Sequence, residues 1–193
     1  MILALGDIQA LNPNGIWEGM AVNYLGPYIF TKTLLPLFES TASLDGANVR
    51  IINVGSGGYR YAKYLEYDSK EAWNHPFKWY LLPSLQRYEY STLALHLWTN
   101  KLARRLSEKR SKFVLTMTYK APLGRRCSPA LLPPVSSVLD LVTCAPRDNP
   151  EIFQGAYIYP PSIAVPQAPV ALDEDGQRKL LEFTEEFLRS AEV

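Results

Sequence analysis

This sequence has few cysteines, almost no net charge and no apolar stretch long enough to cross a membrane. Only two of its 193 residues are cysteines, Cys127 and Cys144, and their spacing matches no metal site. A disulfide between them is one alternative, but two free thiols in a reducing compartment are the favoured interpretation. No window reaches the ~18 apolar residues that a membrane span needs, and the apolar N-terminus lacks the basic flank of a signal peptide. We therefore expect a cytoplasmic protein without a membrane span.

The charge balance gives no sign of a nucleic-acid partner. Lysine and arginine number 20 and aspartate and glutamate 19, so the formal net charge is +1. The basic segment 101–110 places its charges around Leu102 and Leu106, which is typical of the solvated face of an amphipathic helix. We expect neither a nucleic-acid surface nor an acidic substrate, and the length suits one domain or a large part of a bigger one.

Strand-like and helix-like segments alternate along the chain. Short apolar or β-branched runs predict strands at 2–5, 49–54, 113–117 and 156–159. Helical spacing predicts helices at 17–38, 88–108 and 135–142, and a last helix after Asp173. The run 49–54 ends at a glycine-rich loop that contains Ser56, as a buried parallel strand does at its carboxyl end. This order predicts an α/β fold, the C-terminal part of a doubly wound, Rossmann-like parallel sheet.

Two residues predict local details of the helices. Pro27 lies inside the first helix and cannot donate to the carbonyl of Asn23, so we expect a bend there. Asp173 is predicted to cap the last helix. The inner side of that helix should carry Leu180, Phe183, Phe187 and Leu188.

Seven segments match one family's sequence pattern in the family's own order. They are 21–26, 34–36, 50–56, 88–94, 102–106, 155–158 and 180–186. Together they resemble the short-chain dehydrogenase/reductase family, nearest to its retinol-dehydrogenase-like and WW-domain-oxidoreductase-like branch. The resemblance implies an oxidoreductase that uses NADP or NAD on a carbonyl or a secondary alcohol. It also implies that residues 1–193 form a single partial domain, its first strand–helix units missing.

The resemblance implies a catalytic set of asparagine, serine, tyrosine and lysine. Asn23 matches the asparagine, Ser56 the serine and Tyr88 the acid/base. Thr92 stands where the lysine is expected. An unassisted phenol titrates near ~10, and threonine has neither a positive charge to favour the phenolate nor the hydrogen bonds that lysine makes to the nicotinamide ribose.

Each matched residue also has a plainer interpretation. Ser56 could satisfy local backbone groups, and Tyr88 could be one more aromatic residue packed at a helix start. The Asn23 carbonyl could hold a proton-relay water, or its amide could be satisfied locally. His96, further along the helix of Tyr88, could be a substitute base, although packing is the favoured interpretation, and His75 has no visible partner.

The cofactor side shows two further departures from the family. The chain begins near the family's fourth strand, so roughly three strand–helix units and their glycine-rich dinucleotide loop are absent. The segment 55–58 is no replacement, because no helical pattern follows it. The segment 118–122 stands where the family has Pro-Gly. We therefore expect a truncated, degenerate member with impaired cofactor binding, or with no cofactor at all.

Aromatic residues crowd the segment 59–90, which contains ten of the chain's 23. They could line a pocket for a bulky hydrophobic small molecule of the kind found in secondary metabolism. Alternatively, they cover surface that a missing half would otherwise cover.

Three functions remain open on the sequence alone. The first is an oxidoreductase of the short-chain family. The second is a redox-silent descendant, either a non-redox isomerase or cyclase or a non-catalytic partner. The third is a homodimeric scaffold paired through the helices that carry Asn23 and Tyr88.

Overall fold

Helices and strands alternate along the chain in the order of an α/β fold. The computed structural model describes residues 10–108, 114–120, 153–159 and 163–191. The helices in these ranges are α1 Glu18–Met20, α2 Gly26–Ala42, α3 Lys70–Trp73, α4 Pro83–Glu108 and α5 Glu174–Ser190. The strands are β1 Val49–Gly55, β2 Val114–Lys120, β3 Tyr157–Tyr159 and β4 Ile163–Val165. A π turn, Ala21–Leu25, joins α1 to α2, and 3₁₀ turns occupy Gly57–Tyr61 and Pro169–Leu172.

The four strands form one sheet in the order β1-β2-β3-β4. The pairs β1–β2 and β2–β3 are parallel, as predicted, with Val49 opposite Val114 and Thr118 opposite Tyr157. The prediction of a parallel sheet is wrong for β4, which runs antiparallel to β3. Only three residues separate these two strands, and a parallel pairing would need a crossover of roughly a dozen.

Helix α4 is the central helix of the fold. It begins at Pro83, five residues before the predicted start, and proline suits the first turn of a helix because that turn needs no N–H donor. Every residue from Arg87 to Asn100 is buried. The buried stretch carries apolar residues, among them Leu93, Leu97 and Trp98, interleaved with buried polar ones such as Thr92 and His96.

A π turn lies directly before Pro27, where the sequence predicts a bend. The Gly26 N–H donates to the Ala21 carbonyl, five residues back instead of the usual four. Pro27 has no N–H with which to bond the Asn23 carbonyl, so the regular ladder is interrupted there in any case. The wider turn lets the helix pass through this interruption without ending.

The last helix agrees with its sequence pattern. Asp173 is its N-cap, and its side chain accepts a hydrogen bond from the Asp175 N–H at 3.1 Å. Leu180, Phe187 and Leu188 are buried and Phe183 is partly buried against the core. The predicted strand at 2–5, the predicted helix at 135–142 and both cysteines lie outside the described residues. Among the helices described, none is both long and apolar enough to span a bilayer.

Candidate active site

Ser56 lies directly after β1 and caps the 3₁₀ turn that follows. Its side chain is fully buried, and its hydroxyl oxygen accepts a hydrogen bond from the Gly58 N–H at 3.2 Å. The plainer interpretation, a serine that satisfies local backbone, therefore describes part of what it does. A hydroxyl that accepts one bond still has its own hydrogen to donate.

Tyr88 meets Ser56 at Gly58. A Cβ atom built on Gly58 would lie 3.5 Å from the Ser56 hydroxyl oxygen and 3.5 Å from the Tyr88 Cε1 atom, which neighbours the phenol carbon. The two matched side chains thus converge on one small volume, although 32 positions separate them in the sequence. The glycine leaves that volume open because it has no side chain.

Asn23 connects the π turn to α4. Its side-chain Nδ2 donates to the Ser91 hydroxyl at 3.0 Å, and that hydroxyl donates to the Tyr88 carbonyl at 3.0 Å. Both side chains are buried, so this chain of bonds fixes α4 at the turn that carries Tyr88. The Asn23 amide thus bonds across the fold to the helix that carries Tyr88.

Thr92 holds no charge at the position of the expected lysine, and its hydroxyl is already engaged. The residue is fully buried, and its hydroxyl donates to the Tyr88 carbonyl at 2.8 Å. This back-bond to the fourth residue before it is a common way for threonine to satisfy itself in a helix. The side chain therefore reaches toward its own helix and offers no cation to a ligand.

The described residues do not fit a nicotinamide dinucleotide. Such a cofactor rests its pyrophosphate on the N-terminus of a full helix after a glycine-rich loop. Here the segment 55–58 leads only into the five-residue 3₁₀ turn Gly57–Tyr61. Together with the uncharged Thr92, this leaves the cofactor side without its usual contacts in the part of the chain described.

Glu89 is a site residue that the sequence analysis missed. It is buried, and a Cβ on Gly58 would lie 3.4 Å from its Cγ, beside the Ser56 and Tyr88 atoms. Burial raises the pKa of its carboxyl, while a 2.8 Å bond from the Gln86 amide and the charge of Lys63 act in the opposite direction. Its sequence neighbours are Arg87, Tyr88, Tyr90 and Ser91, so nothing in the sequence indicated that this carboxyl is buried, and the position counts only as a spacer in Tyr-x-x-x-Lys.

His96 packs in the core. Its ring stacks on Tyr59 with centroids 3.9 Å apart, and Nδ1 lies 3.5 Å from the Gln167 side-chain oxygen. Among the described atoms, Nε2 is buried without a hydrogen-bond partner. Burial lowers the pKa of His96 to about 3. A fully buried ring in this setting fits the packing interpretation and not that of a substitute base.

The aromatic segment forms a cluster of rings and not the wall of a cavity. Six of its ten aromatic residues are buried, and five of these six contact other rings of the core, either within the segment, as in the Tyr67–Tyr90 stack at 4.4 Å, or outside it, as between Trp73 and Phe183. His75, which had no visible partner in the sequence, stacks on Tyr64 at 4.3 Å. The faces of these rings are therefore in contact with other core rings. This favours the interpretation that they cover protein surface over the interpretation that they line a pocket for a bulky hydrophobic ligand.

Two clefts of the described chain lie away from the Ser56–Tyr88 pair. One of about 440 Å³ lies between α2 and β1 and is lined in part by Asn23. The other, of about 500 Å³, lies between α4 and the start of α5. Neither is lined by Ser56 or Tyr88.

Comparison with known proteins agrees with the resemblance at the level of the family. No family model matches the chain. Over 95 residues the chain is 45% identical to a short-chain dehydrogenase/reductase of Armillaria gallica, a match that covers 49% of this chain and 30% of the relative. A short-chain dehydrogenase/reductase of Colletotrichum higginsianum is 26% identical over 194 aligned residues, which cover 89% of this chain and 48% of the relative. The chain thus spans less than half the length of each of these relatives.

One solved structure shares the fold. It is an uncharacterised protein from Mycobacterium paratuberculosis, 18% identical, with a TM-score of 0.61 over 96% of this chain and 64% of that one. At this identity the likeness concerns the fold alone. The similarity to short-chain dehydrogenases/reductases therefore rests on the two relatives from Armillaria gallica and Colletotrichum higginsianum.

Proposed function

We propose that this chain carries the substrate-binding side of an oxidoreductase-family site. In this proposal Ser56 and Tyr88 bind the oxygen of a carbonyl or a secondary alcohol on a hydrophobic small molecule. The observation that carries it is the convergence of the Ser56 hydroxyl and the Tyr88 ring on the volume beside Gly58. The similarity to two short-chain dehydrogenases/reductases supports it.

Two hydroxyl donors on one oxygen can polarise a carbonyl. The Ser56 hydroxyl keeps its hydrogen while its oxygen caps the 3₁₀ turn, and the phenol of Tyr88 supplies a second hydrogen. Such a pair stabilises negative charge that develops on the oxygen, more strongly where water is excluded. Asn23 contributes indirectly, through the bonds from its amide to Ser91 and from Ser91 to the Tyr88 carbonyl.

The cofactor in this proposal is NADP or NAD, on resemblance alone, with impaired binding in this chain. When bound, a nicotinamide would supply the hydride, but the described residues do not fit one. The proposal also includes a single domain over 1–193, a cytoplasmic location and a homodimer through the helices that carry Asn23 and Tyr88. These three parts rest on the sequence and the resemblance. For the dimer, α2 offers exposed Phe30 and Leu37, whereas α4 is buried from Arg87 to Asn100.

A redox-silent acid–base function is the second candidate, and Glu89 favours it. A carboxyl whose pKa is raised by burial can give up or take a proton closer to neutral pH than an exposed one. With Tyr88 and Ser56 holding a carbonyl oxygen, Glu89 could move a proton at the neighbouring carbon, as an isomerase requires. This chemistry needs neither a lysine at position 92 nor a dinucleotide.

Ligand-observed NMR with a panel of cyclic ketones and secondary alcohols tests the site. Tyr88→Phe and Ser56→Ala each remove one hydroxyl, and Gly58→Ala fills the space between them. The added methyl would meet its neighbours at ordinary van der Waals distances of 3.4–3.5 Å, so Gly58→Ala should fold. We expect all three variants to lose saturation transfer to the ligands that the native chain binds. Equal transfer in the native chain and all three variants would remove the site.

Calorimetric titration with NADH and NADPH separates the two candidates. Micromolar binding of either nucleotide would support the oxidoreductase and count against the redox-silent alternative. Absence of nucleotide binding, together with solvent-deuterium exchange at the carbon beside the ketone that Glu89→Gln abolishes, would favour the acid–base function.

A further inference from the structure

The turn between α3 and α4 presents bare apolar side chains. In this 77–82 turn, Trp79 is 99% exposed and Leu81 97% exposed, and Leu82 is more than half exposed. The chain has four tryptophans, and the other three, Trp17, Trp73 and Trp98, are buried. A fully exposed tryptophan beside a fully exposed leucine is an unfavourable arrangement in water, and projecting apolar groups of this kind mark contact surfaces.

The base of the turn is held firmly by the core. Phe77 is buried and adopts a positive φ of 54°, a conformation that is uncommon and costly for a non-glycine residue. The Tyr80 N–H donates to the Phe77 carbonyl at 3.0 Å, and the Arg87 guanidinium donates to the Pro76 carbonyl at 3.0 Å. The exposure of Trp79 is therefore part of a fixed conformation.

Two lysines flank the tip of the turn, while the acidic Glu66 lies at its base, where it accepts a hydrogen bond from Tyr64. Lys78 lies within the turn and is exposed, and the Lys63 ammonium lies 5.9 Å from the centre of the Tyr80 ring. No aspartate or glutamate occurs between Glu71 and Glu89, and Glu89 is buried. The exposed apolar tip thus has cations beside it and no acidic residue within its own segment.

This combination suits an anionic lipid surface better than a protein. A stable protein interface buries about 800 Å² on each partner, mostly over a flat patch, whereas here two side chains project from a narrow turn. Tryptophan and leucine beside lysine are the residues that anchor proteins at the membrane–water interface. We propose that the 77–82 turn docks on anionic bilayers, with Trp79 and Leu81 in the interface and Lys63 and Lys78 on the headgroups.

Docking would place the candidate site near the bilayer. Helix α4 begins at Pro83, directly after Leu82, and Tyr88 lies in its second turn. Apolar molecules partition into bilayers, so a docked turn would present the Tyr88 end of α4 to them. This consequence depends on the proposed function, whereas docking itself does not.

Vesicle flotation with tryptophan fluorescence tests the docking. The full chain is mixed with vesicles of phosphatidylcholine alone or of phosphatidylcholine with phosphatidylserine. We expect co-flotation with the anionic vesicles, and a blue shift in emission that reports Trp79 because the other tryptophans are already buried. Trp79→Ser with Leu81→Ser should lower vesicle affinity at least tenfold. Lys63→Gln and Lys78→Gln should each lower it about fivefold, and added salt should do the same.

Leu44→Ser with Ile163→Ser is the matched control, because it removes two exposed apolar side chains that lie outside the turn and outside α2. It should leave flotation unchanged. The proposal fails if the native chain does not float, or if the turn variant floats as well as the native chain. It also fails if light scattering without lipid shows a dimer that the turn variant abolishes, since a second copy would then occupy the turn. None of these readouts uses Ser56, Tyr88 or a nucleotide, so they are independent of the catalytic proposal.

Discussion

His96 should make the fold sensitive to mild acid. The ring is fully buried, and that burial lowers its pKa to about 3 from an ordinary value of 6.5. The positive charge of Arg60 acts in the same direction, and the bond to Gln167 in the opposite one. As the pH falls below 6.5, the unfolded chain takes up a proton at His96 and the folded chain does not. The free energy of unfolding therefore falls as the pH falls from 6.5 toward 3.

The size of this effect follows from proton linkage. One pH unit corresponds to about 1.4 kcal/mol for each proton taken up by the unfolded state alone. At pH 5, about 1.5 units below the ordinary histidine value, His96 should cost about 2 kcal/mol relative to neutral pH. Because pH 5 is well above the folded-state pKa, this figure depends mainly on the unfolded chain.

Urea unfolding at pH 7.5 and pH 5.0 measures the loss. His96→Phe removes the titrating group and keeps a ring against Tyr59, so its stability should change less between the two pH values by about 2 kcal/mol. His75→Phe, at the chain's other histidine, is the matched control and should retain the native pH dependence. The carboxylates contribute equally to all three proteins. If the native chain and His96→Phe lose the same free energy, the burial argument is wrong.

Three further predictions concern α4 and α5. Asp173→Ala should cost about 1 kcal/mol in urea unfolding, and Asp173→Asn, which can still cap, much less. Ser91→Ala should cost about 1–3 kcal/mol because it leaves the buried Asn23 amide without this acceptor, whereas Ser84→Ala in the first turn of α4 should change stability by less than about 0.5 kcal/mol. Thr92→Lys should cost about 3 kcal/mol or more by burying a charge and should create no NADPH binding; Thr92→Val, without the charge, should cost about 1 kcal/mol. Calorimetric NADPH binding by Thr92→Lys would contradict the last of these.

Local patterns predicted the elements that local physics determines. The β-branched run of β1 and the capped, amphipathic α5 each contain their own signal, and both occur at the expected places. The antiparallel strand β4 has no such signal, because its direction depends on how few residues connect it to β3. Pro27 predicted an irregular helix at this point, and the structure shows a π turn there; the missing N–H of proline does not by itself specify that form.

The candidate site divides in the same way. The resemblance matched Ser56 and Tyr88 as members of one catalytic set, and the fold brings them together at Gly58, a contact point that the sequence did not indicate. The sequence did not indicate Glu89 as a site residue, because the burial of a carboxyl is a property of the packed structure. The role of the aromatic segment could not be predicted either. Its composition is compatible with the wall of a ligand pocket and with a packed cluster of rings, and only the ring contacts distinguish the two.

The absence of a lysine at position 92 is matched by the surroundings of that position in α4. The ammonium of a buried catalytic lysine needs either a charged partner or a bound ligand, because an unpaired charge in the core is costly. Thr92 lies midway along the stretch of α4 that is buried from Arg87 to Asn100, and its hydroxyl is satisfied by the Tyr88 carbonyl. The described residues offer no dinucleotide cradle at this helix, so a lysine there would face packing atoms instead of a ribose. Threonine is therefore the residue that this environment stabilises, and restoring the lysine alone would restore the motif in the sequence without restoring its chemistry.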